Sequence, residues 1–171
     1  MFSLLYRQRR IGKNGKPFTM YKFRTMITGA DAMQKKLSPY NEADGPVFKI
    51  RNDPRFTSIG KFLSHTGLDE LPQLINVLRG EMAIIGPRPL PLAEAAKLTP
   101  WQKKRHRVKP GIISPWILEG YHAKSFDAWM KSDIEYIETK HVWKDMELGI
   151  RGCILLAKLF LREVASILSN P

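Results

Sequence analysis

The sequence predicts an α+β fold with a basic N-terminal β-hairpin, several amphipathic helices and a long C-terminal helix. Three features favour this class: an Asn14-Gly15 turn signal, apolar residues at helical spacing in mid-chain, and an apolar C-terminal segment. With 171 residues, 43% of them hydrophobic, the chain has the size of one domain and can bury a core. We therefore expect residues 1–171 to form a small single domain.

The N-terminal part is expected to fold as a β-hairpin. Asn-Gly pairs favour type I′ turns because both residues readily adopt positive φ. The flanking residues 5–11 and 18–26 should then pair as antiparallel strands. Further along the chain, helices are predicted at 28–37, 92–98, 100–107, 126–140 and 148–168, a helix or turn at 55–64, strands at 48–50 and 82–85, and turns at 38–45 and Pro110-Gly111.

A clearer amphipathic pattern follows the acidic pair Asp69-Glu70. Its apolar residues recur at i, i+3, i+4 and i+7, which is typical of a helix with one buried face. Pro72 is tolerated in the first turn and Gly80 can end the helix, so the acidic pair lies at the helix N-terminus. We call this set the apolar stripe: Leu71, Leu74, Ile75 and Leu78.

Two interpretations of the acidic pair follow from this placement. Carboxylates at a helix start commonly cap free backbone N–H groups, and Thr66 with Asp69 matches the capping-box spacing. The same placement favours the charged form of a carboxylate and is expected to lower its pKa. An ionised carboxylate can attack phosphorus to form an acyl phosphate, while its neighbour, about 100° away on the helix, holds Mg²⁺.

Charge also points to an anionic partner. The formal charge is +12, from 28 Lys and Arg against 16 Asp and Glu, and the cations concentrate in residues 1–36 and 97–109. Such patches favour nucleic acid, anionic lipid or phosphorylated substrates, although a solvated basic surface is the alternative. Arg88, held between Pro87 and Pro89, is either a fixed phosphate ligand or an exposed arginine in a rigid turn.

The C-terminal helix predicted at 148–168 has a broad apolar face and a thin basic stripe. This pattern suits a helix lying in a membrane interface, or a terminal helix packed on its own domain. The single cysteine, Cys153, excludes an internal disulfide and a multi-cysteine zinc site. The apolar run at the N-terminus is too short for a signal peptide or a membrane-spanning helix.

Several motifs, in this order, resemble the bacterial sugar transferase family, the monotopic phosphoglycosyl transferases that begin lipid-linked glycan assembly. The resemblance is strong over residues 6–112 and weaker to the end. The motifs are Tyr21-Lys22-Phe23-Arg24-Thr25-Met26, Asn52-Asp53-Pro54-Arg55, residues 68–82, Ile85-Gly86-Pro87-Arg88-Pro89, and residues 105–112.

The resemblance implies a two-step transfer at the cytoplasmic face of the bacterial inner membrane. Asp69 would attack the β-phosphate of a UDP-sugar and release UMP, and the phosphosugar would pass to a polyprenyl phosphate such as undecaprenyl phosphate. The product would enter exopolysaccharide, capsule or O-antigen assembly. Asp69 and Glu70 would ligate Mg²⁺, and Lys22, Arg88, Arg105 and His106 would face the substrate phosphates.

Three departures from the family pattern bear on these expectations. The usual N-terminal re-entrant membrane helix is lacking before Met1, so the chain is either truncated or docks on an anionic membrane through its hairpin and terminal helix. Ser64 stands where an arginine is usual, and residues 117–122 replace a stretch expected to shape the sugar site. Two alternative functions are a non-catalytic truncated relative and a basic nucleic-acid-binding module, although no nucleic-acid-binding signature is present.

Overall fold

The computed structural model describes residues 4–119 and 125–169, and these residues form the predicted α+β fold. Some predicted helices are shorter than expected: 92–98 is an α-helix only at Leu92–Ala95, and 100–107 becomes a 3₁₀ segment at Gln102–Arg107. The strands are β1 Leu5–Ile11, β2 Pro17–Phe23, β3 Ala83–Ile85 and β4 Gly111–Ile113. The α-helices are α1 Ala30–Leu37, α2 Ser58–Thr66, α3 Leu74–Leu78, α4 Leu92–Ala95, α5 Pro115–Leu118, α6 Phe126–Glu138 and α7 Val142–Ser169.

Strands β1 and β2 form an antiparallel hairpin whose last pair before the loop is Ile11 and Pro17. Strand β2 ends at Phe23 rather than at residue 26, because the chain then leaves the hairpin. Met26 forms an isolated antiparallel bridge with Phe56 instead. The hairpin is therefore joined to the segment that leads into α2.

The hairpin tip has the backbone conformation that the Asn-Gly signal predicts. Asn14 and Gly15 have φ values of 56° and 74°, and the Lys16 N–H donates to the Lys13 carbonyl at 3.2 Å. The strand pairing stops before this turn, so the whole loop is longer than a two-residue connection.

The second sheet is a parallel pair whose second strand was not predicted. Gly111, interpreted as part of a turn, begins β4 and lies opposite Ala83 of β3. That interpretation is wrong because the Ala83 N–H donates to the Pro110 carbonyl at 2.8 Å and so continues the pairing. A Cβ on Gly111 would lie 2.1 Å from the backbone nitrogen of Gly86, so this close approach of two backbones requires glycine.

Residues 48–50 do not form the predicted strand; they belong to a loop organised by Asn41. Its Oδ1 accepts a hydrogen bond from the Lys49 N–H at 2.8 Å, and its Nδ2 donates to the carbonyls of Ala43 and Val47. A side chain thus supplies the partners that a neighbouring strand would provide.

The segment after the acidic pair has its apolar stripe outside and its polar side chains inside. It starts as a 3₁₀ helix at Leu68–Gln73, which places Asp69 in the first turn as predicted, and becomes α3 afterwards. Leu78 is 88% exposed, whereas Asp69, Gln73 and Asn76 are buried. The expected burial of the stripe is wrong because the polar face meets the backbone of β2, whose N–H and C=O groups need hydrogen-bonding partners.

An apolar cluster fixes helix α6 against the rest of the domain. The indoles of Trp116 and Trp129 stack with ring centroids 5.9 Å apart, and Phe126 meets Trp129 edge-on at 5.8 Å. Met130 is fully buried in the same cluster. These contacts hold α6 in place. The helix also carries Asp133, whose carboxylate forms an ion pair with Arg105.

Helix α7 begins at Val142, earlier than predicted, and packs along one side on the domain. The Phe62 and Phe160 rings meet edge-on with centroids 6.0 Å apart. A Cβ on Gly152 would lie 2.6 Å from the Ile113 side chain, so α7 and β4 are in close contact.

Another part of α7 leaves apolar side chains in solvent. Ile150 and Leu161 are 61% and 67% exposed. None of the helices within residues 4–119 and 125–169 is both long and apolar enough to cross a membrane. The predicted interfacial role of this helix stays a prediction.

We expect Gly111→Ala to destabilise the domain by about 3 kcal/mol, because the added methyl group would overlap the Gly86 backbone. Chemical denaturation measures this loss. Gly149→Ala in α7 is the matched control, since a Cβ there would lie 3.9 Å from the Ile85 side chain, an ordinary van der Waals distance. Equal stability of the two variants would contradict the close approach of β4 to Gly86.

Candidate active site

The carboxylate of Asp69 is held inside the domain by the turn at Gly67. Gly67 has φ of 74° and starts the 3₁₀ segment, and a Cβ there would lie 2.8 Å from the Leu156 side chain of α7. Asp69 is 4% exposed, and its Oδ2 lies 3.5 Å from the Lys22 ammonium of β2. The hairpin thus brings a cation to a buried carboxylate.

The environment of Asp69 changes its proton affinity in the direction opposite to our expectation. Burial raises the pKa of the Asp69 carboxyl; the Lys22 charge opposes this rise and the Glu70 charge adds to it. The expected lowering at the helix start is wrong because desolvation outweighs the field of a short 3₁₀ segment. Lys22 is the foremost of the neighbouring charges that favour the ionised carboxylate.

Glu70 turns to a different cation. Its Oε1 lies 2.9 Å from Nη1 of Arg88, in a pair more exposed than that of Asp69. The two adjacent carboxylates therefore meet cations from two separate segments: Lys22 from the hairpin and Arg88 from the loop after β3. The acidic pair lies where these segments converge.

Arg88 is carried by a loop whose backbone is fixed at several points. The Gly111 N–H donates to the Pro87 carbonyl at 3.0 Å, and the Gly86 N–H donates to β4. Nη2 of Arg105 donates to the carbonyl of Arg88 itself at 2.8 Å. The parallel sheet and Arg105 together set the position of Arg88.

Arg105 is engaged in a buried ion pair. It is 2% exposed, its Nε donates to Oδ2 of Asp133 at 2.8 Å, and its guanidinium lies 5.5 Å from the centre of the Trp129 ring. Burial raises the pKa of Asp133, and the Arg105 charge opposes that rise. These contacts favour a role for Arg105 in positioning Arg88 over the substrate-facing role predicted for it.

His106 lies beside the Arg88 loop. It lines a hollow with Pro87, Arg88 and Val108, and its buried Nε2 has no hydrogen-bond partner among the described residues. Burial, followed by the Arg105 charge, lowers the pKa of His106 to about 4. His106 is therefore a neutral imidazole at neutral pH.

Comparison with known proteins places this arrangement in a family. The model of the bacterial sugar transferase family matches residues 2–158. The chain belongs to this family. The match includes every element that carries the acidic pair and its cations, so the cluster described above lies in the family's own domain.

Three relatives illustrate the similarity. Galactosyl transferase CpsE of Streptococcus agalactiae serotype III (strain NEM316) is 41% identical over 145 residues, covering 84% of this chain and 32% of the relative. The UDP-glucose:undecaprenyl-phosphate glucose-1-phosphate transferase of Escherichia coli (strain K12) is 38% identical over 154 residues, covering 85% and 31%. The exopolysaccharide production protein ExoY of Rhizobium meliloti (strain 1021) is 34% identical over 148 residues, covering 84% and 66%. The chain spans about a third of the length of the first two relatives.

Of the predicted site residues of this sugar transferase chain, Lys22, Asp69, Glu70 and Arg88 form one cluster. The departures from the family pattern lie elsewhere. Beside Ser64, the ring of His65 in α2 faces Glu163 of α7 at 3.3 Å. The divergent stretch at 117–122 extends beyond the described residues from Gly120 onward.

Two cations near Arg88 were missed by the sequence analysis. Arg10 of β1 donates from Nη1 to the Pro89 carbonyl at 2.8 Å. Burial, followed by the Arg88 charge, lowers the pKa of Lys49 to about 8. The signal for Arg10 was available: Arg9 and Arg10 are adjacent in a strand, so one of them must face inward. The position of Lys49 near Arg88 depends on the course of a loop, which the sequence does not predict.

Asn76 was also not predicted as a site residue, although it links helix α3 to strand β2. It is fully buried, its Nδ2 donates to the carbonyl of Thr19 and to Glu81 at 2.7 Å each, and its Oδ1 accepts from the Tyr21 N–H at 3.2 Å. These bonds fasten β2, which carries Lys22, to α3. No sequence signal pointed to this role, because the apolar stripe predicted that Asn76 would lie on the solvent face of the helix.

We expect Asn76→Asp to lower the free energy of unfolding by about 2–3 kcal/mol. The new carboxylate would have the same shape but would face the Thr19 carbonyl and Glu81 without a proton to donate. Denaturant titration at neutral pH measures the loss. Asn52→Asp, at an exposed position, should change stability by less than about 0.5 kcal/mol, and an equal effect at both positions would contradict this assignment.

Proposed function

We propose that this chain transfers a phosphosugar from a UDP-sugar to a polyprenyl phosphate such as undecaprenyl phosphate, releasing UMP. The proposal rests above all on one observation: Asp69 is buried beside Lys22, next to a second carboxylate paired with Arg88. Membership of the bacterial sugar transferase family supports it, as does the activity for which the Escherichia coli relative is named. The reaction would begin lipid-linked exopolysaccharide, capsule or O-antigen assembly.

The proposed reaction has two displacements at phosphorus. An oxygen of Asp69 forms a bond to the β-phosphorus, the bond from that phosphorus to the bridging oxygen breaks, and UMP departs with the electron pair. An oxygen of polyprenyl phosphate then attacks the same phosphorus, and the Asp69 carboxylate leaves. Splitting the transfer in this way replaces one difficult displacement with two easier ones.

The neighbouring cations suit this chemistry. A diphosphate brings negative charge to a carboxylate that is itself an anion, so attack requires charge neutralisation. Lys22 lies beside Asp69 and Arg88 beside Glu70, on segments that the fold holds in place. Arg105 supports this arrangement through the Arg88 backbone, and His106, being neutral, would serve as a hydrogen-bonding group rather than a charge.

Mg²⁺ is the cofactor that the acidic pair would accept. No group of three or more His, Cys, Asp or Glu placed to hold a metal is found in residues 4–119 and 125–169. Mg²⁺ is nevertheless commonly held by one or two carboxylates together with substrate phosphates and water, and Asp69 and Glu70 are such a donor set. When bound, the ion would neutralise part of the diphosphate charge.

The exposed apolar and basic side chains support docking on an anionic membrane, which we propose to be the cytoplasmic face of the inner membrane. The exposed apolar stripe lies on the segment that carries Asp69, and the exposed face of α7 adds further apolar side chains. Arg7 and Arg79 both lie over the Tyr21 ring of the basic hairpin, at 5.8 and 5.3 Å. Apolar residues next to cations are typical of surfaces that bind anionic bilayers.

We expect Asp69→Asn to reduce UMP release about a thousandfold or more, because the amide keeps the shape of the carboxylate but not its nucleophilicity. The assay combines a UDP-sugar panel with undecaprenyl phosphate and Mg²⁺. Asp31→Asn is the control, since exposed Asp31 accepts a hydrogen bond from Tyr6 and lies outside the cluster. Full activity of Asp69→Asn would exclude the covalent role, and a wild-type chain inactive with every sugar would favour a non-catalytic relative.

We expect the chain to sediment with phosphatidylglycerol vesicles, and Leu78→Ser to weaken this binding about tenfold by removing one inserted leucine. Binding should also fall with added salt and be weaker to phosphatidylcholine vesicles. Sedimentation of Leu78→Ser equal to that of the wild type would exclude the apolar stripe from the membrane contact.

A further inference from the structure

Arg10 reaches from the hairpin to the loop that carries Arg88. Besides its bond to the Pro89 carbonyl, its Nη2 donates to Gln8 Oε1 at 2.5 Å, and its backbone forms a bridge with Pro91. The guanidinium is therefore fixed in orientation by contacts with its own strand and with the loop. A group held in this way is prepared to bind a ligand at little entropic cost.

The Nε nitrogen of this fixed guanidinium takes no part in these contacts. The Nε of Arg10 is buried and has no hydrogen-bond partner among the described residues. Arg10 lines a small hollow together with Glu70, Gln73 and Arg88. A buried N–H without an acceptor is costly, so an acceptor supplied by a ligand would stabilise this arrangement.

The charges around the hollow also favour an anion. Burial, followed by the positive charge of Arg88, lowers the pKa of Arg10 to about 10, and Glu94 and Glu70 only partly offset this. Lys49 brings a further positive charge toward Arg88. The Glu70 carboxylate in the hollow is paired with Arg88 and does not accept a hydrogen bond from the Nε of Arg10.

We propose that Arg10 and Arg88 together bind the phosphate of the departing nucleoside monophosphate. The inference rests on the proposed function, which supplies a ligand with two phosphates. Lys22 contacts the attacking residue, whereas the hollow is lined by Glu70 and not by Asp69, so we assign the hollow to the departing phosphate rather than to the attacked one. When the Asp69 oxygen bonds to that phosphorus, the bridging bond breaks and its electron pair stays on the departing phosphate. Two guanidinium groups at that phosphate would stabilise the developing charge through paired N–H···O bonds.

Binding of UMP to the intact chain, measured by titration calorimetry, tests this assignment. We expect Arg10→Gln to bind UMP about tenfold more weakly than the wild type. The matched control is Arg9→Gln, because Arg9 is exposed, lies in the same strand and carries the same charge; its UMP affinity should equal that of the wild type. Unchanged UMP affinity in Arg10→Gln, or an equal loss in both variants, would overturn the proposal.

A structural role of Arg10 needs a separate control, since it also bonds to the Pro89 carbonyl. Uridine lacks the phosphate, so a distorted site would weaken uridine and UMP alike. The proposal predicts that Arg10→Gln reduces the preference for UMP over uridine about tenfold. An unchanged preference would overturn it. If Arg10→Gln does not fold, Arg10→Lys keeps the charge but not the planar fork, and UMP binding equal to wild type would then count against the proposal.

The two proposals fail in different ways. We call the pair Arg10 and Arg88 the anion site. If the wild type transfers no phosphosugar to polyprenyl phosphate but its binding of UMP or inorganic pyrophosphate depends on Arg10, the proposed function is wrong and the anion site is supported. If transfer proceeds while Arg10→Gln keeps its UMP affinity, the anion site fails and the proposed function stands. A wild-type chain that binds neither UMP nor pyrophosphate would overturn the anion site.

Discussion

The buried ion pair between Arg105 and Asp133 is the contact on which the position of Arg88 depends. Asp133 is fully buried on α6, whose place is fixed by the Trp116 and Trp129 stack, and Arg105 donates onward to the Arg88 carbonyl. Loss of either partner would leave an uncompensated buried charge, at a cost of about 3–5 kcal/mol. The pair therefore links the apolar core to a charged side chain in the candidate active site.

The segment that carries Asp69 departs from the usual polarity of a surface helix. Asp69, Gln73 and Asn76 face the interior, and the apolar stripe faces outward. Burial raises the pKa of Asp69, so the ionised form depends on Lys22, which Asn76 helps to hold by fastening β2 to α3. The same inversion presents leucines on the outside, close to the acidic pair. The orientation of this segment thus buries the polar residues of the site and exposes the apolar stripe for the proposed contact with a lipid surface.

The features predicted correctly from the sequence depend on the conformational preferences of residues that are adjacent in the chain. The positive φ values at Asn14 and Gly15 and the start of a helix at Asp69 follow from local preferences, and both are present. The parallel pairing at Gly111 and the inward face of Asn76 were not predicted, because each depends on a strand distant in the chain. Apolar periodicity identified the helix but not which face is buried. Arg10 was missed although strand alternation alone would have turned it or its neighbour inward.

Mass spectrometry of the intact chain can show whether Asp69 forms the proposed covalent intermediate. The chain is incubated with Mg²⁺ and a UDP-sugar in the absence of polyprenyl phosphate, then digested to locate any added group. We expect an added phosphosugar on the peptide containing Asp69, and we expect it to disappear when polyprenyl phosphate is supplied. Efficient transfer without such an adduct, or an adduct on another residue, would contradict the proposed intermediate.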